Sequence, residues 1–141
     1  MLDFKTYLVN TMINDATLRG LLGAPDASHV PVFPTDIDIQ PEQFPSITYG
    51  DVANLAKVQP IGMHVGVIQL DVWSTLSAYQ AESIYERLDF LFNFKDSTTQ
   101  TITGILWWVR EQNARDMHEA SRRLFHKQID YKYWANRANN T

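Results

Sequence analysis

Residues 65–92 read VGVIQLDVWSTLSAYQAESIYERLDFLF, a long strand, a tight corner and an amphipathic helix in succession. From Val65 to Trp73 the side chains alternate. Ile68, Leu70 and Val72 fall on one face, and Val65, Val67, Gln69, Asp71 and Trp73 on the other, the period-2 pattern of a pleated strand with one wholly apolar face. Ser74 to Ser77 then supplies hydroxyls that accept from the first orphan N–H groups of a helix, with Ser77 the better-placed cap. Beyond it Ala78, Ala81, Ile84, Tyr85, Leu88, Leu91 and Phe92 recur at spacings of three and four, while Gln80, Glu82, Glu86, Arg87 and Asp89 turn away. A stripe of that width needs a sheet to lie on.

Upstream, Leu2 to Asn14 places Leu2, Tyr7 or Leu8, Val9, Met12 and Ile13 near one helical face. Asn14-Asp15 interrupts it, Asp15 caps a second short helix from Ala16 to Leu22, and Gly23 stops that helix. Ala24 to Phe44 holds four of the six prolines, which excludes a long helix; Val30 to Phe33 is expected as a short edge strand and Asp36 to Gln43 as an acidic loop. Ser46 to Val52 reads as a second strand. Ala53 to Met63 reads as the polar connection that makes this strand and the Val65 strand antiparallel neighbours.

Downstream, Asn93 to Thr103 is polar and expected as a loop. Gly104 to Glu111 follows as a strand apolar on both faces. Gln112 to Ser121 reads as a loop or a short turn of helix, and Arg122 to Trp134 as a last strand with Phe125, Ile129, Tyr131 and Tyr133 on one face. Residues 135–141 are expected to fray. The pattern gives one domain over residues 1–141 of α+β class, a mostly antiparallel sheet of four to five strands with two to three helices packed on one face. Trp73, Trp107 or Trp108, Tyr131 and Tyr133 then form a surplus on the other face, and a second copy of the chain is the simplest cover for it.

The chain has 141 residues, four Trp, six Tyr and seven Phe, which favours an ordered fold. With no cysteine, disulfides, thiolate metal sites and thiol nucleophiles are excluded. No run approaches the roughly 20 apolar residues that span a bilayer, and the N-terminus lacks a basic region followed by an apolar core; a soluble protein made in the cytoplasm is expected, with no membrane contact. Charge is unevenly placed. Up to Val109 five Lys/Arg face twelve Asp/Glu, net −7; from Arg110 onward seven face four, net +3. Faces of opposite sign orient the stacking of subunits.

His29, His64, His118 and His126 show no metal spacing, Asp36 and Asp38 lack a third ligand, Ser74 and Ser77 lack the glycines of a nucleophile elbow, and no glycine-rich phosphate loop is present. No catalytic residue, metal or cofactor is expected, and the chain does not read as an enzyme. Arg122, Arg123, Lys127, Lys132 and Arg137 interleave with Phe125, Tyr131, Tyr133 and Trp134 as in single-strand binders, but the alternation also fits a strand buried in its middle, and an acidic protein is a poor DNA binder.

Gln69 to Ser74 (QLDVWS), the Ala81 to Phe92 helix (AESIYERLDFLF) and the Arg122 to Trp134 strand (RRLFHKQIDYKYW) together resemble the tail-terminator (tail-completion) proteins of long-tailed bacteriophages. The resemblance covers about half of the chain as pattern, and its length departs from the family's in the Ala24 to Phe44 segment and the polar tail. It implies a structural virion protein at the head-proximal end of the tail, assembled in the host cytoplasm. It also implies a homo-oligomeric, usually hexameric ring that caps the tail tube, stops its polymerisation and offers a surface to a head-completion or connector protein, while DNA passes through the channel without specific recognition. On strand geometry Trp107, Arg115, Arg122, Arg123 and Trp134 are expected to join subunits. Lys57 and Gln59 in one loop and Lys95 and Asp96 in another are expected to face partners or the lumen. A head-side connector or neck protein of the same virion is the neighbouring reading; a small enzyme with a pocket between helix and sheet is the reading from another class.

Overall fold

The computed structural model describes residues 4–35, 45–58, 63–93, 95–96, 107–119 and 124–136. Two helices open the chain, α1 (Phe4–Asn14) and α2 (Ala16–Leu22). Asp15 separates them: its backbone is extended, and its carboxylate accepts from the Leu18 amide at 2.8 Å, satisfying an orphan donor of α2. Gly23 ends α2 at φ 70°, where a side chain would be strained, and its N–H reaches back to the last turn.

The strands are β1 (Val32–Pro34), β2 (Ser46–Val58), β3 (Met63–Ser74), β4 (Lys95–Asp96), β5 (Trp107–Glu119) and β6 (Leu124–Asn136), with α3 (Ala78–Phe92) between β3 and β4. They form one sheet in the order β1-β2-β3-β6-β5-β4. Only the three-residue β1 runs parallel to its neighbour, Val32 opposite Ile47. Every other pair is antiparallel.

The corner into α3 uses both serines. The Ser74 hydroxyl is buried, accepts from the amides of Leu76 (3.1 Å) and Ser77 (3.3 Å), and donates to Gln80 Oε1 at 2.6 Å. The Ser77 hydroxyl accepts from the Gln80 amide at 3.0 Å. With its first turn satisfied, α3 lays Ala81, Ile84, Leu88, Leu91 and Phe92 on the sheet.

The core lies between the three helices and one sheet face. Phe4, Leu8 and Met12 of α1 and Leu18 and Leu22 of α2 meet Ile47, Ile68, Leu70, Val72, Val109, Ile129, Tyr131 and Tyr133. Tyr133 stacks on Phe4 with centroids 4.2 Å apart, and Tyr131 packs edge-on against Phe92 at 6.1 Å. A bidentate pair ties α3 to the cap of α2: Arg87 donates from Nε (2.8 Å) and Nη2 (2.7 Å) to the two Asp15 oxygens. Lys127 is 8 % exposed on this face. It donates to Glu82 at 2.9 Å, lies 3.4 Å from Asp116 and stands over the Tyr85 ring. Burial alone would lower its pKa, yet the two carboxylates hold it above the usual lysine value.

Several boundaries differ from the sequence reading. Tyr131 and Tyr133 belong to the helix face, not to the surplus on the other side, because α1 and α3 reach far enough across β6 to cover them. Residues 53–58, read as connection, continue β2; bulges between Asp51 and Ala53 and between Asn54 and Ala56 let the ladder absorb an irregular pattern. Residues 112–119, read as loop or helix turn, continue β5, where a bulge between Glu111 and Asn113 resets the alternation and hides the period. Lys95 and Asp96, read as loop, pair with Val109 and Trp108 as β4. Ala135 and Asn136 remain in β6. The acidic segment with Asp36 and Asp38 lies outside the described residues.

Two predictions follow from this packing. A Cβ on Gly66 would fall 2.7 Å from the Tyr133 hydroxyl and 2.8 Å from Cζ of that buried ring. Gly→Ala in a strand ordinarily stabilises by restricting the unfolded chain, but here overpacking wins. Gly66→Ala is expected to cost about 1–3 kcal/mol in urea denaturation, and less in a Tyr133→Leu background, where the space is open.

The second prediction concerns acid. The Arg87 guanidinium, with help from the Leu18 amide, holds the Asp15 carboxyl below the usual carboxylate range. A depressed folded-state pKa adds stability that is present above the unfolded value of about 3.9 and is lost as pH falls through the lower folded value. Asp15→Ala is therefore expected to cost about 2 kcal/mol or more at neutral pH. The gap to wild type should narrow below about pH 4; a gap independent of pH would count against the pair.

Candidate functional site: the open sheet face and the outer stripe of α3

The three helices share one face of the sheet; among the described residues no helix lies on the other, the open face, whose residues are set by cross-strand register. In the middle a polar network spans β2, β3, β6 and β5. Asp71, 4 % exposed, pairs with Gln128 of β6 and Thr48 of β2. Its carboxylate accepts from His126 Nε2 (2.6 Å), Gln69 Nε2 (2.9 Å) and Gln128 Nε2 (3.3 Å). The His126 ring stacks on the Trp73 indole with centroids 3.8 Å apart, and the indole N–H donates to Thr48 Oγ1 at 3.1 Å. On the β5 side Arg115 closes the network by donating through Nε and Nη2 to Gln128 Oε1. Asp130 sits next along β6, and burial raises its carboxyl above the usual range.

Toward the other end of the same face the character changes. Trp108 and Trp134, opposite each other in register, pack edge to face at 4.2 Å. Arg110 and Lys132 are also directly opposite; the guanidinium stands 4.3 Å over Trp108 and the ammonium 4.9 Å over Trp134. Like charges in a cross-strand pair repel, and each is held over an indole. The face thus combines half-buried indoles with the cations Arg110, Arg115 and Lys132.

A second uncovered surface lies on the far side of the helix layer. Leu76 (74 % exposed), Tyr79 (81 %) and Phe90 (62 %) are, with Met117, the exposed large apolar side chains among the described residues. Tyr79, Ser83, Glu86 and Phe90 follow one another at spacings of four, three and four, a stripe opposite the one that packs on the sheet. Arg87 lies 4.7 Å from the Phe90 ring centre while its donors hold Asp15. At the start of α3, a cleft of about 140 Å³ opens between Ala78, Ala81, Asp116, Met117, Phe125 and His126. Its walls are mostly apolar, and the imidazole that borders it is bonded to Asp71.

Of the residues expected to join subunits, Arg115 and Trp134 do lie on one face, the open one. Trp107 begins β5 opposite Ala135, and Arg122 and Arg123 lie outside the described residues. Lys57 is in β2 opposite His64, and Lys95 and Asp96 form β4; Gln59 lies outside the described residues. Lys127, grouped by sequence with the basic run, is buried among carboxylates on the helix side. Sequence reasoning missed Arg110 and Lys132 as a cross-strand pair, the Asp71 network and the outer stripe of α3. The stripe was readable: Tyr79 and Phe90 are three turns apart on the face away from the core.

No protein-family model matches the chain, and no curated protein sequence matches it. Among solved structures, a chain from the virion of a native gene transfer agent particle superposes with a TM-score of 0.69 at 13% identity, covering 92% of this chain and 91% of that one. A second solved chain, carrying no functional description, matches with a TM-score of 0.55 at 14% identity over 95% of this chain and 97% of its own length. At these identities the likeness is one of fold.

The Asp71 network yields a stability prediction. Asp71→Ala leaves His126, Gln69 and Gln128 without their common acceptor and is expected to cost about 1–3 kcal/mol. Asp71→Asn, which keeps an acceptor oxygen, should cost less. Urea midpoints with Trp73 emission measure both; an Asp71→Ala effect within about 0.5 kcal/mol would place the network among inert surface features.

Proposed function

We propose that this chain is a structural protein of a phage-like virion, and more finely a tail terminator. The observation that carries the reading is the fold likeness to a chain of the gene transfer agent virion, which extends over nine-tenths of both chains. The match is end to end, so it compares whole architectures and not a shared fragment. The sheet is consistent with the role: helices cover one side, and the other presents Trp73, Trp108 and Trp134 with three cations. Such a face suits contact with another subunit better than contact with water.

In this reading the chain forms a ring, hexameric by analogy with the family it resembles, that docks on the end of the tail tube, halts its growth and receives a head-completion or connector protein. The genome passes through its channel without sequence recognition. Arg115 and Trp134, with Trp107, Arg122 and Arg123, serve contacts between subunits. Lys57, Gln59, Lys95 and Asp96 lie toward the tube or the lumen.

Light scattering on a sizing column, followed by negative-stain imaging, tests the ring. The expected result is a discrete oligomer whose images show a central channel, and tube-protein polymerisation that stops when the oligomer is added. A chain that stays at its 16.2 kDa monomer mass at every concentration, and leaves tube growth unaffected, would overturn the reading.

A further inference from the structure

We propose that copies of this chain join head to tail, with the outer stripe of α3 on one copy seated against the open sheet face of the next. The inference rests on the ring reading above and names the two surfaces which meet in it. The two surfaces lie on opposite sides of the same subunit, and among the described residues no helix covers either. One is a ridge: Leu76, Tyr79 and Phe90 project from the helix layer, 74 %, 81 % and 62 % exposed. The other is a pleated floor with half-buried Trp73, Trp108 and Trp134. A convex apolar ridge and a flatter aromatic floor are complementary in shape, and neither complements itself in the way a two-fold contact requires.

Charge points the same way. Along α3, Glu82 is neutralised by Lys127, and the Arg87 guanidinium beside Phe90 by Asp15, while Glu86 lies in the stripe and Asp89 is bonded to the uncharged Asn93, so the net sign of the outer surface of α3 is negative. On the sheet face the sign near the indoles is set by Arg110, Lys132 and Arg115. Among the acids on that face, Asp71 is bonded to His126, Gln69 and Gln128, Asp130 is half-buried, and Glu119 lies at the far end of β5 from the paired indoles. Pairing ridge with ridge would oppose acid to acid, and pairing floor with floor would oppose base to base. Ridge on floor brings acid to base and covers the indoles in the same step. Contacts between two different patches on opposite sides are heterologous, so they generate a ring when the rotation closes.

The chain contains no cysteine, so introduced thiols report contacts without background. Ser83→Cys marks the centre of the ridge, and Asn113→Cys, at an exposed position opposite Asp130, marks the floor. The Ser83 hydroxyl donates to the backbone carbonyl of Tyr79 and Asn113 faces Asp130 across the backbone ladder, so neither substitution removes an aromatic or charged side chain invoked here. A short bismaleimide should convert the double variant into a ladder of cross-linked species ending at the closed ring. An equimolar mixture of the two single variants should give dimers, and each single variant alone should stay monomeric on a denaturing gel. Dimers from Ser83→Cys alone, dimers from Asn113→Cys alone, or rings in which no variant cross-links would each overturn the face assignment while the ring reading stands. If the unmodified chain forms no oligomer in light scattering, both fall together.

Discussion

Twelve residues of β3, from Met63 to Ser74, pair with Asn136 to Phe125 of β6 without a bulge, and the rest of the structure depends on that uninterrupted central ladder. Antiparallel pairing fixes which side chains share a face, and a slip by one residue would send the entire apolar set to the wrong side. With the ladder in register, Ile68, Leu70 and Val72 line up with Tyr131, Ile129 and Lys127, in that order, beneath the helices. The same register puts Trp73 beside His126, Asp71 beside Gln128 and Val65 beside Trp134 on the open face. Core and open face are two consequences of one alignment.

The polar network on the open face guards that alignment. A carboxylate 4 % exposed is costly unless its acceptors are used. Asp71 meets His126 and Gln128 only when β6 is in this register, so a shifted pairing would bury a carboxylate without them. Lys127 acts in the same sense on the opposite side. It reaches Glu82 of α3 and Asp116 of β5 together only if helix and both strands are correctly docked. Neither group is the chief source of stability; each makes the alternatives worse.

How much of this was legible follows from where side chains report backbone pairing. The Ser77 cap and the Ala78 to Phe92 helix were readable to the residue and the strand before them to within two residues at either end, because strand alternation, serine caps and helical spacing agree there, and the Asp15 and Gly23 punctuation of α2 was equally plain. The bulged strands were not. A bulge such as that between Glu111 and Asn113 shifts the phase, so residues 112–119 show no continuous alternation and pass for a loop. Three-dimensional coverage was likewise invisible. Nothing in RRLFHKQIDYKYW says that Phe4 will stack on Tyr133 and Phe92 pack against Tyr131, which removes two tyrosines from the supposed surplus. Trp73 was legible as part of the surplus because it alternates with core residues, whereas Trp134, expected only as a subunit contact, and the cations over Trp108 and Trp134 required the cross-strand register of β5 and β6.

The distribution of irregularities bears on how such a sheet can serve assembly. The β3–β6 pair at the centre is regular, while each flanking long strand carries bulges, two in β2 and one in β5. A bulge bends its strand and increases local twist, so the flanks curl relative to a straight middle. The middle is also where the polar network ties strand to strand, and the indoles with their cations stand at one end of the β5–β6 flank. Regular pairing is therefore concentrated where register decides the core, and the irregular pairing lies on the strands that flank it. The gene transfer agent chain shares this fold over 92% of the present one at only 13% identity: the central alignment is demanded by burial, and burial asks for an alternation of apolar and polar positions that many different sequences satisfy.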